Sequence, residues 1–196
     1  MNYQNDIAIL ILAAGKSSRM GKPKQLLAWK NTTLLGHAIK NAKAICPDHV
    51  YVVLGANTEE IKKSVEDTVH FIFNENYERG LGSSVATGIG SILKTNKKYQ
   101  GVLITLCDQP LIDIDYLNQI ITSYGKDGSG IIATAYINRA GVPTLFDKRY
   151  FDELSLLDED FGASQMIRKY QKDVKTLDPK GKALDIDTWD DYIALI

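Results

Sequence analysis

The sequence predicts an α/β fold in which a mainly parallel sheet is covered by helices on both faces. Three observations carry this expectation: short runs rich in β-branched residues, apolar helical periods between them, and the alternation of the two along the chain. Ile7 to Leu12 is the first run, and its lack of polar alternation marks a strand buried on both sides. Leu35, Ala38, Ile39 and Ala42 then recur at helical spacing, and Val50 to Leu54 reads as the next strand. Ile61 and Val65 place a helix in the charged stretch Glu59 to Asp67, where Glu59 and Lys63 are spaced for an i,i+4 pair. Val69 to Phe73 and Val102 to Leu106 are two more buried strands, separated by a helix from near Val85 through Ile89, Ile92 and Leu93. Leu117, Ile120, Ile121 and Tyr124 form the helix after them.

The second half is less regular. Ile131 to Ile137 and Pro143 to Phe146 read as strands, and Lys148 to Leu157 and Ala163 to Tyr170 as helices. Leu184 to Ile196 reads as a short strand with a closing helix, capped by Thr188 and Asp191, with Trp189, Tyr192, Ile193 and Ile196 on one face. The whole of 1–196 is expected to form one domain, with ligands at the carboxyl ends of the strands.

Composition narrows the function. Hydrophobic residues make up 44% of the 196 and charged residues 24%, the balance of a globular chain rather than a disordered one. The longest apolar run, Ile7 to Ala14, is eight residues and far too short to span a bilayer. The N-terminus lacks the pattern of a secretory signal, so a cytoplasmic protein is expected. Cys46 and Cys107 are isolated, and His37, His49 and His70 are scattered, which argues against a zinc site. A net charge of −1 provides no basic field for nucleic acid or an anionic membrane.

One segment stands out against that neutral background. From Leu12 the chain reads Leu-Ala-Ala-Gly-Lys-Ser-Ser-Arg-Met-Gly-Lys-Pro-Lys-Gln-Leu-Leu, placing Lys16, Arg19, Lys22 and Lys24 close together with no acid among them. Such an excess calls for an anionic partner, and Gly15 and Gly21 allow backbone N–H groups to approach one closely. It is not a P-loop, because Gly15 and Gly21 are one residue too far apart and Lys22 is followed by Pro23. Nor is Gly80-Leu81-Gly82 a dinucleotide fingerprint, since Val85 stands where the third glycine belongs. Asp108 follows the fourth strand at its carboxyl end, a natural position for a metal ligand. Asp113 and Asp115 read as helix-start acids, and Cys107 as a small buried hydrophobe.

The run from Leu12 to Lys24 resembles the L-x-x-G-x-x-x-R-M-G-x-x-K signature of nucleotidyltransferases. Its Leu-Ala-Ala-Gly form, followed by Pro-Lys-Gln-Leu-Leu, is similar to the molybdenum cofactor cytidylyltransferase branch. Asn76 to Ser84, Asp108-Gln109-Pro110, Gly141-Val142-Pro143 and Asp185-Ile186-Asp187-Thr188 match further motifs of that family in the right order.

The resemblance implies a three-layer α/β/α sandwich with at least one antiparallel strand. It implies that the backbone of Leu12, Ala13, Ala14 and Gly15 holds the base and phosphates of CTP, and that Arg19 and Lys24 neutralise the β- and γ-phosphates. Gly80, Gly82, Ser83 and Ser84 would contribute to base and sugar binding at a helix start. Asp187 would join Asp108 in holding Mg²⁺. The implied reaction transfers CMP to the terminal phosphate of the molybdenum cofactor, with a molybdenum hydroxylase such as xanthine dehydrogenase as receiving partner. Another phosphorylated acceptor such as a sugar phosphate, GTP in place of CTP, or a non-catalytic cofactor chaperone are the alternatives. One departure bears on the acceptor: the family's G-D-x-G-A-R becomes Glu159-Asp160-Phe161-Gly162-Ala163-Ser164, with the arginine replaced by Ser164.

Overall fold

The computed structural model describes residues 6–17, 20–158 and 162–196. Arg19 and Glu159 therefore lie outside the described residues. Seven strands form one sheet: β1 (Ile7–Ala13), β4 (Val50–Leu54), β5 (His70–Phe73), β6 (Gly101–Leu106), β7 (Ile131–Ala135), β8 (Ala140–Asp147) and β9 (Val174–Leu177). A separate two-stranded hairpin pairs β2 (Ala28–Trp29) with β3 (Thr32–Thr33). The order across the large sheet is β5-β4-β1-β6-β8-β7-β9. Only β8 is antiparallel to its neighbours, β6 and β7. The other pairs are parallel, so the mainly parallel sheet expected from the alternation is the observed one.

β1 lies at the centre and is buried along its whole length. Because successive side chains point to opposite faces, Ile7, Ile9 and Ile11 enter one core and Ala8, Leu10 and Leu12 the other. The first core is closed by α1 (Leu34–Ile45), α2 (Thr58–Lys63) and α4 (Ile114–Ser123), through Leu35, Ile39, Ile61 and Ile120. The second is closed by α3 (Leu81–Leu93), α5 (Phe151–Leu154) and α6 (Ala163–Lys169), through Val85, Ile89, Leu154 and Met166. The result is three layers, with the sheet between two sets of helices. A smaller cluster of Met20, Leu27, Trp29, Leu34 and Ile186 packs beside α7 (Trp189–Ile193).

Several sequence expectations need correction. No strand occupies the residues from Leu184 to the start of α7; the final sheet strand is β9, earlier in the chain, paired with β7. β5 is a sheet edge with His70 and Phe73 exposed, not a strand buried on both faces. α3 begins at Leu81 rather than near Val85, because Gly80 reaches φ 99° and lets the chain enter the helix abruptly. The expected helix from Lys148 splits into a 3-10 turn, Lys148–Tyr150, and the short α5. Glu59 pairs with Lys62 at 3.8 Å rather than with Lys63. The capping box at Thr188 and Asp191 forms as expected. Of the expected face Tyr192 packs inward, joined by Leu195, whereas Trp189, Ile193 and Ile196 remain exposed. Among the described residues no helix is long and apolar enough to cross a membrane.

The chain turns from β1 to β4 and β5 on one side, then crosses through α3 to β6 on the other. That reversal makes the gap between β1 and β6 the switch point where doubly wound sheets bind ligands. α3 lies against β1 and β4 so closely that a Cβ on Gly88 would stand 2.6 Å from Leu10 Cδ2 and 3.1 Å from Val53 Cγ2. Gly88→Ala is therefore expected to destabilise the fold by about 1–2 kcal/mol net of the helix-propensity gain, seen as a lower urea midpoint. A midpoint equal to or above that of the parent protein would show that the interface has slack.

Candidate active site

The parallel register aligns Leu12 with Leu106, and Cys107 N–H donates to the Leu12 carbonyl at 3.3 Å. Asp108 is thereby delivered beside the loop that follows β1. The loop turns through Ser17 at φ 54° and Gly21 at φ 64°, then returns in a 3-10 turn, Lys24–Leu26. Two contacts fasten the returning arm to the outgoing one. Lys24 N–H donates to Ser17 Oγ at 2.9 Å, and Gln25 Nε2 donates to the carbonyls of Ala13 at 2.7 Å and Gly15 at 3.0 Å.

This arrangement aims Lys24 inward. Its Nζ lies 2.7 Å from Asp108 Oδ2 and 3.0 Å from Asp187 Oδ1, bridging the two acids. Burial alone would pull the Lys24 ammonium down, but the two carboxylates outweigh it and raise it above the ordinary lysine value. Asp187 reaches the site because Ile186, fully buried, donates its N–H to the Asp108 carbonyl at 2.9 Å. α7 secures the other side, where Asp191 Oδ2 accepts the N–H groups of Asp187 at 3.0 Å and Thr188 at 2.7 Å. The second oxygen of Asp108, Oδ1, is buried and has no hydrogen-bond partner among the described residues. A buried carboxylate oxygen is costly to leave unpaired, so a cation is the group that this position suits.

Around this cluster lies a cavity of about 350 Å³. Of the residues expected from sequence, Leu12, Ala13, Ala14, Gly15, Lys24, Gly80, Asp108 and Asp187 all line it. Gly82 and Ser83 do not. Since α3 starts at Leu81, both lie within its first turn, and the Ser83 hydroxyl donates inward to the carbonyls of Asn76 and Gly80 at 2.8 and 3.0 Å. Asn74 Nδ2, itself buried, donates to both Ser83 and Ser84 at 3.0 Å, so Ser83 braces the loop while Ser84 reaches the cavity. Gln25, Tyr77 and Leu81 were not foreseen as wall residues. Gln25 stands in the quoted Pro-Lys-Gln run; nothing in the sequence marks Tyr77, which packs against Gly55 across the site.

The basic excess of the loop also looks different in space. Lys16 is paired with Glu78 and Lys24 with Asp108 and Asp187, so acids distant in sequence meet these cations. Asp113 caps α4 by accepting Tyr116 N–H at 3.0 Å, as expected. Gly15 needs no special backbone angle, yet no atom among the described residues, its chain neighbours aside, lies within 4 Å of where its side chain would be. Gly21 is required by its positive φ.

A cavity over an acid–lysine–acid cluster at the switch point is that of a ligand-binding doubly wound protein. More narrowly, residues 9–174 match the MobA-like NTP transferase domain, and the chain belongs to that family. The crystal structure of Rv0371c from Mycobacterium tuberculosis H37Rv is 30% identical, with a TM-score of 0.83 over 97% of this chain and 96% of that one. A structure of Rv0371c in complex with manganese is 27% identical, with a TM-score of 0.78 over 97% of each chain. Bifunctional protein GlmU of Francisella tularensis is 26% identical over 156 residues, 78% of this chain and 33% of the relative. The chain thus spans about a third of the length of the curated relatives it matches. Molybdopterin-guanine dinucleotide biosynthesis protein A from Archaeoglobus fulgidus, 15% identical with a TM-score of 0.66 over 95% of each chain, shares the fold.

Neither cysteine is built for chemistry. Burial pushes the Cys46 thiol up to about 11, and burial together with the adjacent Asp108 carboxylate pushes the Cys107 thiol up as well. At pH 8 the native protein is expected to resist Ellman's reagent, with both thiols reacting only after unfolding. Rapid labelling of Cys107 in the native state would contradict the buried placement.

Proposed function

We propose that this chain is a divalent-metal-dependent nucleotidyltransferase that transfers CMP from CTP to the terminal phosphate of the molybdenum cofactor. The observation that carries the reading is Lys24 held between Asp108 and Asp187, with Asp108 Oδ1 buried and without a partner among the described residues. An oxygen of the acceptor phosphate attacks the α-phosphorus of CTP, and the bond from that phosphorus to the β-bridging oxygen breaks. Pyrophosphate leaves with the electron pair.

The donor set fits Mg²⁺, which takes one or two carboxylates and completes its shell with water and substrate phosphate oxygens. Among the described residues no group of three or more His, Cys, Asp or Glu is arranged to hold a metal unaided, in keeping with such a shared shell. Asp108 and Asp187 would hold the ion, which when bound neutralises charge on the phosphates. Manganese in the Rv0371c complex supports a divalent cation in this reading.

The chain's own residues do the rest. Lys24 brings a mobile point charge to the phosphates, and Arg19, from the family signature, brings a planar fork. The Leu12–Gly15 segment, its Ala13 and Gly15 carbonyls already taken by Gln25, presents N–H groups to the nucleotide. The open space at Gly15 permits close approach of a phosphate or sugar. Gly80 and Ser84 form the opposite wall for base and sugar. A cavity of about 350 Å³ suits a nucleotide, with the acceptor entering from the open side. The cytoplasm, where CTP is available, is the compartment this activity requires.

Ser164 in place of the family's arginine favours a second reading, in which the acceptor is a different phosphorylated metabolite. One assay separates them: pyrophosphate release with Mg²⁺, comparing CTP, GTP, ATP and UTP against molybdenum cofactor and sugar phosphates. Release with CTP and the cofactor well above all other combinations is expected. Lys24→Ala, Arg19→Ala and Asp108→Ala should each lower turnover by about 10²-fold or more while circular dichroism stays unchanged. No release with any pair, from folded protein, would sink the transferase reading and leave a cofactor chaperone that passes its cargo to a hydroxylase such as xanthine dehydrogenase.

A further inference from the structure

We propose that Gln109 and Asp185 are positioning residues that set the separation of the Asp108 and Asp187 carboxylates, an inference that rests on those two acids being metal ligands. Gln109 follows Asp108 directly, yet it is buried and forms no part of the cavity wall. Its Nε2 donates to Asp185 Oδ1 at 2.8 Å and to Tyr136 Oη at 2.9 Å. Tyr136 Oη in turn donates to the Val142 carbonyl at 2.6 Å. One amide nitrogen therefore joins the turn after β6, the β7–β8 hairpin and the run that leads into α7.

The direction of every bond in this chain is fixed. The Val142 carbonyl can only accept, so the tyrosine proton is committed to it and Tyr136 must accept from Gln109. The Asp185 carboxylate likewise accepts, so both Nε2 protons are used. Gln109 keeps this arrangement even though its Oε1 is left buried with no partner among the described residues. The two donors are what the position demands.

The strut acts where the backbone supplies little else. No helix or strand spans residues 183–187, so regular structure does not hold Asp187 against Asp108. Two links do so from the β6 side: the Ile186 N–H to the Asp108 carbonyl, and the Asp185 side chain to Gln109. They flank Asp187 by one and two residues and grip Asp108 and its immediate neighbour. Groups that orient a metal's ligands are commonly worth 10–100-fold in metal affinity.

Mn²⁺ binding to the full chain, followed by electron paramagnetic resonance without any turnover, tests this. Gln109→Leu is expected to weaken Mn²⁺ binding about 10–100-fold with circular dichroism unchanged, and Asp185→Ala to match it. Asp185→Asn keeps an oxygen for Gln109 and should hold affinity within about threefold, while Gln109→Leu with Asp185→Ala should be no worse than either alone. Parent-like Mn²⁺ affinity in Gln109→Leu would overturn the strut, as would an Asp185→Asn loss equal to that of Asp185→Ala, which would make the charge itself the active feature. Asp108→Ala and Asp187→Ala distinguish the underlying reading. If they leave Mn²⁺ binding unchanged, the pair are not ligands and the inference falls with them; if they abolish it while Gln109→Leu does not, only the strut falls.

Discussion

The ammonium of Lys24 between two carboxylates is the contact on which the site is organised. Its partners lie 84 and 163 residues away in sequence, so it can exist only after the sheet has formed and the C-terminal segment has docked. Each element near it then has a task. β1 and β6 bring the loop and Asp108 to the same level, Gln25 and Ser17 fold the loop back so that Lys24 points inward, and buried Ile186 draws Asp187 across. Three charged groups in a partly desolvated place are costly individually. They are stable together because each supplies what the others lack.

The inner strands of the sheet were legible because they are buried on both faces and so carry continuous apolar runs, as in Ile7–Ala13 and Val50–Leu54. β9 was not, since Val-Lys-Thr-Leu is short, only partly buried, and paired with β7 more than forty residues earlier. The β2–β3 hairpin escaped for a similar reason: two-residue strands leave no period to detect. The start of α3 was misplaced because a positive-φ glycine, not an apolar period, decides it. In each case a non-local pairing or a single backbone angle outweighed the local pattern.

The candidate site shows the same division. Lys24, Asp108 and the Leu12–Gly15 loop were visible through motif and strand-end position, and the structure brings them together at one cavity. Gly82 and Ser83 shared a motif with wall residues but were turned inward by the helix that begins before them. Gln25 acts entirely through carbonyls of other residues, which leave no trace in composition. The loop's cation excess is invisible as compensated charge in the sequence, because the acids that meet Lys16 and Lys24 lie far along the chain.

The Lys16–Glu78 pair compensates charge and also ties two segments together at the edge of the cavity. It links the loop after β1 to the turn before α3, beside the wall residues Gly15 and Tyr77, and both side chains are largely in solvent. An exposed ion pair of this kind contributes little to stability and weakens with salt. Opening the rim there would cost far less than disturbing β1, whose side chains lie in both cores. A stiff floor under a more compliant mouth separates the geometry of the Asp108–Lys24–Asp187 cluster from movements at the rim.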